Sequence, residues 1–116
     1  MEGSTVKKII DTLAAWAAER RTIGPQSWMD AASKLNVLLQ AEVEKLIDMK
    51  LAISKLQAAY MADGDTAAKA RVKVEAMDEW AVLQKQQALI DRAKEAILLA
   101  KKSATLAMEL MRNKLD

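Results

Sequence analysis

Apolar residues recur at helical spacing from the start of the chain: Val6, Ile9, Ile10, Leu13, Trp16 and Ala17 share a face, while Lys7, Lys8, Asp11, Glu19 and Arg20 lie mostly elsewhere on the wheel. Ser4 or Thr5 suits an N-cap, so a first helix is expected over about 5–21. The following RTIGPQS holds the only proline, and Gly24 followed by Pro25 is the clearest breaker. A second helix should open there. Across the next stretch a heptad pattern is sustained in two rows: Trp28, Leu35, Glu42, Met49 and Leu56, and Ala32, Leu39, Leu46, Ile53 and Tyr60. Only Glu42 interrupts this seam. Leu38, Val43, Ile47 and Leu51 widen the apolar surface beyond what one partner helix needs, which predicts contact with a further element.

The stretch ADGD then supplies Gly64 for a left-handed helix stop and Asp65 or Thr66 for a new cap. From there a third helix is expected to run unbroken to about Asn113, with Ala76, Trp80, Leu83, Ile90, Ile97, Ala104, Met108 and Met111 on one stripe. At 1.5 Å per residue it would be roughly 70 Å long, against roughly 55 Å for the second. Folding the pair about Gly64 makes the numbers of facing residues sum to about 128. Glu42 then falls near Gln86 and Gln87, so the polar breaks of the two helices coincide in a layer that fixes register. Residues 101–115 would extend past Trp28, where the first helix is available to cover them. The expectation is an all-α fold in a single domain over residues 1–116: a long antiparallel hairpin of about 26–62 and 66–113, braced at its base by the first helix. A continuous coiled-coil dimer, with the Gly64 segment as a bend, is the architectural rival.

Composition removes several chemistries. The chain has 116 residues, no Cys and no His. Disulfides, thiolate metal sites, an imidazole base and a phosphohistidine are therefore all excluded. Three scattered glycines cannot form a phosphate-cradling loop. The densest carboxylates, Asp78 with Glu79 and Glu42, Glu44 and Asp48, read as solvated helix faces. No enzyme, cofactor or small-molecule substrate is expected. No apolar run approaches the length of a membrane span, so a cytoplasmic protein without a membrane partner is expected.

The net charge of +2 is too low for a protein that coats duplex nucleic acid. Lys69, Arg71 and Lys73 nevertheless cluster near the hairpin turn, in what reads as the opening turns of the third helix, where the backbone dipole disfavours cations. Either they serve the negative end of the second helix, or they contact an anion together with Arg92, Lys94, Lys101 and Lys102. Trp16, Trp28 and Trp80 could stack on bases, but all three fall on apolar stripes. The first helix, with Lys7, Lys8, Arg20 and Arg21, could lie on an anionic membrane, but covering the hairpin base is the stronger demand on its apolar face.

The segments WMDAASKLNVLL and AKARVKVEAMDEWAVLQKQQALIDRAKEAILLAKKSA resemble parts of small, functionally uncharacterised helical proteins of tailed bacteriophages. The likeness rests on Trp28, Leu35 and Asn36, and on Asp78, Glu79, Trp80, Lys101 and Lys102. It implies a phage setting, with genes of single-strand-annealing recombination sometimes nearby, and it supplies no catalytic residue. The leading expectation is a phage-type interaction protein that binds a protein partner or itself through Leu38, Val43, Ile47, Leu51, Met108 and Met111. Modulation of a nucleic-acid enzyme is a use suggested by the resemblance. A single-stranded nucleic-acid accessory and a structural virion component are the alternatives.

Overall fold

A computed structural model describes residues 2–19 and 23–115. Four helices follow in order: α1 (Glu2–Ala18), α2 (Pro25–Ala62), α3 (Ala67–Glu75) and α4 (Asp78–Leu115). The two long ones, α2 and α4, pack against each other as an antiparallel hairpin, and α1 lies against both. The molecule is a rod of 73 × 22 × 19 Å.

The heptad rows form the seam. Trp28, Ala32, Leu35, Leu39, Leu46 and Ile53 of α2 are buried, as are Leu83, Ile90, Ala93, Ile97, Ala100 and Ala104 of α4. Such a stripe removes apolar area from water along the whole hairpin at roughly 25 cal/mol per Å². Glu42 is 1 % exposed, the buried charge among these apolar layers. The Gln86 side-chain amide donates to its carboxylate oxygen at 2.7 Å and to its backbone carbonyl at 2.8 Å, and Lys45 approaches at 3.4 Å. The polar layer therefore sets the register at the expected residues, except that Gln87 turns to Asp91 at 3.1 Å instead.

The hairpin turn is closed by backbone groups. Gly64 has φ +106°, its N–H bonds to the Met61 carbonyl, and the Asp65 N–H reaches back to the Tyr60 carbonyl, both at 3.1 Å. Together these satisfy carbonyls that the end of α2 would otherwise leave bare. Thr66 then caps α3 by accepting from the Lys69 N–H at 3.2 Å. At the other end of α2, Gly24 is extended and Pro25 occupies the first turn, where its missing N–H costs nothing.

Three expectations are corrected. The first helix starts at Glu2 rather than at a Ser4 or Thr5 cap, since a helix once nucleated propagates through neighbouring residues. It ends at Ala18, and Arg20 and Arg21 lie outside the described residues. The third helix is broken. Ala76 caps α3 with its N–H still on the Val72 carbonyl at 3.2 Å, the Met77 N–H turns to the Val74 carbonyl at 3.0 Å, and α4 restarts with Asp78 and Glu79 in its first turn. Ala76 is consequently exposed, whereas Ala70 and Val74 of α3 are buried. Finally, α1 does not cover the end of α4. Its Lys7, Ile10 and Asp11 line a groove with Lys85, Leu89 and Arg92, and Trp16 meets Trp28 edge to face at 5.3 Å. The helix thus runs beside the middle of α4, and burial on α4 stops at Ala104.

Candidate interaction surfaces

The cations near the turn sit differently from where an unbroken helix would put them. Because α3 ends at Glu75, Lys73 lies in its last turn, the end at which a cation is favoured. Its ammonium reaches the Asp65 carboxylate at 2.5 Å and lies 5.2 Å from the centre of the Tyr60 ring. The hydrogen bond to Asp65 holds its pKa above the ordinary 10.5. Arg71 pairs with Glu75 at 3.2 Å, one turn along the same helix. Of the three, only Lys69 makes no ion pair among the described residues. Two of the cluster are thereby engaged in tying α3 to the turn and to itself.

Arg92, Lys94, Lys101 and Lys102 are all exposed on α4, a helix that starts only after the break and runs away from the turn. The structure does not join them to the Lys69 cluster. Nor do they share one side of α4: Arg92 and Lys94 point about 160° apart, and Lys101 and Lys102 about 100°. A different grouping emerges from tertiary packing. Arg92 shares its groove with Lys85 of α4 and with Lys7 and Asp11 of α1. Sequence reasoning missed Lys7 and Lys85 as its neighbours, because no helical period says where α1 docks.

The aromatic residues are committed to packing. Trp28 is buried under Trp16, and Trp80 is half-buried against the core at a groove lined also by Ile53 and Leu83. Trp16 and Trp28 present their rings to each other rather than to a base.

The apolar residues singled out as an interface divide in two, with Val37, Val72, Val82 and Leu98 exposed elsewhere along the rod. On α2, Leu38 and Val43 are half-buried against the core, while Ile47 and Leu51, one turn apart, are 52 % and 55 % exposed. At the far end of α4, Met108 and Met111 are exposed together with Leu106 and Leu110. The expected interface residues thus fall into an arm patch and an end patch at opposite sides of the three-helix base. Leu106 and Leu110 were not foreseen as part of the second. Their signal was in the sequence: beyond Ala104 large apolar residues occur on every side of the helix, as in a helix that is to be enclosed.

Among the described residues no group of three or more acidic side chains converges as a metal site would require, and no helix is long and apolar enough to cross a membrane. Compared with known protein families, with curated proteins and with solved structures, the chain matches none.

Proposed function

We propose that this chain is a non-enzymatic interaction protein whose helical hairpin binds a protein partner or a second copy of itself, acting by occlusion or bridging. The observation that carries the reading is the exposure of large apolar side chains at Ile47 and Leu51 on the arm and at Met108 and Met111 on the end of α4. Large apolar side chains exposed about one turn apart on a small helical rod support a binding face. The phage setting, a cytoplasmic location in the host cell and the modulation of a nucleic-acid enzyme rest on the resemblance of the Trp28 and Asp78–Trp80 segments alone.

The test is affinity capture from lysate of the source cell with the wild-type chain and with Ile47→Glu/Leu51→Glu as bait. Both positions are exposed, so the double variant should unfold within about 0.5 kcal/mol of wild type. Loss of a saturable partner from the variant supports the arm as the binding face. Equal capture by both baits removes the arm from the mechanism.

A single-stranded nucleic-acid accessory is the second reading, favoured by the gathering of Lys7, Lys85 and Arg92 in one groove. It requires oligonucleotide binding that weakens steeply with salt and is reduced by Lys85→Glu/Arg92→Glu. Fluorescence anisotropy of labelled single strands decides it. The absence of salt-sensitive binding at physiological ionic strength would leave the protein-interaction reading alone.

A further inference from the structure

The seam of α4 does not end where its partner does. Leu83, Ile90, Ile97 and Ala104 repeat every seven residues and are buried, and the next member of the row is Met111. The companion row of Gln86, Ala93 and Ala100 likewise continues to Ala107. Yet α2 begins at Pro25, level with the last buried residue of α4, and α1 lies further toward the turn. One and a half heptads of coiled-coil pattern therefore project without a partner helix among the described residues, with Met111 54 %, Met108 51 % and Leu110 63 % exposed. A lone helix of so few residues is marginal in water and gains most of its stability from packing.

We propose that the occupant of this projecting face is the same segment of a second copy, paired antiparallel about a two-fold axis near Glu109. This inference rests on the interaction reading above and names its partner. It follows from the order of residue sizes. In an antiparallel pair the two seam rows face each other, so Met111 of one copy meets Ala107 of the other, and the two-fold repeats the contact. Each layer then combines one large and one small side chain, which is how facing positions fill space without voids or overpacking. Met108 meets Met108, and Leu110 meets Leu110, on the two flanks. A parallel pair would instead stack Met111 on Met111 and Ala107 on Ala107, crowding one layer and hollowing the next. Two-fold pairing also continues the hairpin seam in line, joining the rods end to end with both turns outermost. Because only these few residues per chain take part, the dimer forms in a concentration-dependent way rather than as an obligate unit.

Sedimentation equilibrium across a concentration series tests the pairing, with circular dichroism to monitor the fold. Wild type should move from the mass of one chain to that of two, and Met108→Glu/Met111→Glu should stay at one chain with unchanged helicity, since both methionines are exposed within the monomer. Orientation is read by cross-linking in this cysteine-free chain: an equal mixture of Ala107→Cys and Met111→Cys should yield the mixed disulfide well beyond the roughly twofold excess over each homodimer that random pairing gives. A wild type that remains one chain throughout, a dimer that survives the double substitution, or a mixed disulfide at or below the random ratio would each overturn the proposal. Failure here is separable from failure of the interaction reading. A monomeric chain that still captures its partner through Ile47 and Leu51 refutes only the self-pairing, whereas loss of both refutes the reading itself.

Discussion

Glu42 brings a carboxylate into a seam otherwise built from Leu, Ile, Ala and Trp, and its cost is contained because Gln86 donates to it from the facing helix. A buried acceptor is tolerated when paired and expensive when orphaned. Gln86→Ala is therefore expected to destabilise the protein by about 1–3 kcal/mol in urea unfolding, through the one Glu42 carboxylate oxygen that loses its donor while Lys45 stays on the other. Replacing both partners, Glu42→Leu with Gln86→Leu, should be close to neutral or stabilising, because it removes the desolvation along with the bond. Its penalty should appear instead as a less well-defined register, visible as broadened amide resonances along α2 and α4. A stability loss in the double variant as large as in the single would contradict this account. The same scale resolves the cations at the turn. Lys73 and Arg71 are engaged by Asp65 and Glu75, and their positions follow from the short length of α3.

At the level of elements, the turn and the break decide the shape of the hairpin's far end. Gly64 is in a conformation that side-chain-bearing residues rarely adopt, yet nothing lies within 4 Å of where a Cβ would stand. The cost of Gly64→Ala is therefore that of the backbone alone, about 1–2 kcal/mol, and should appear as a lowered thermal midpoint with the helical signal unchanged. A neutral effect would mean that the turn relaxes to another geometry. The break at Ala76 and Met77 was legible only in retrospect. Asp78 and Glu79 form an acidic first turn, the usual mark of a helix start, but the apolar stripe passes through them without a change of period. Packing of Ala70 and Val74 against α2 separates α3 from α4.

The whole molecule is far from spherical. Its Cα radius of gyration is 20.0 Å, against about 13 Å for a compact domain of this length. Small-angle scattering at low concentration should give a rod whose long dimension approaches the 73 Å of the single chain. Scattering that instead indicates a compact particle would mean that the hairpin folds on itself in solution. Elongation also explains why so many large apolar side chains are exposed: a rod two helices thick along its arm and three at its base has too little interior to hold them. Exposed apolar residues lie where the third helix is missing, at Ile47 and Leu51 on the arm and beyond Ala104 at the end, and also on the outer faces of the base, at Val37, Leu98 and Leu99.

The amino-acid order by itself determined what depends on local periodicity and on single exceptional residues. Heptads define the two long helices, Gly24–Pro25 and Gly64 end and start them, and the coincidence of Glu42 with Gln86 sets their register, because these signals act over a few residues or through one unique polar pair. Only the tertiary structure decided where α1 docks, and hence that Lys7 joins Lys85 and Arg92 in a groove while Met108 and Met111 stay uncovered. It decided as well that Lys73 stands at the end of a short helix rather than at the start of a long one. An amphipathic face states that it must be covered, and with what width. The position along the rod at which it is covered depends on side chains distant in sequence, and no period within one helix encodes it.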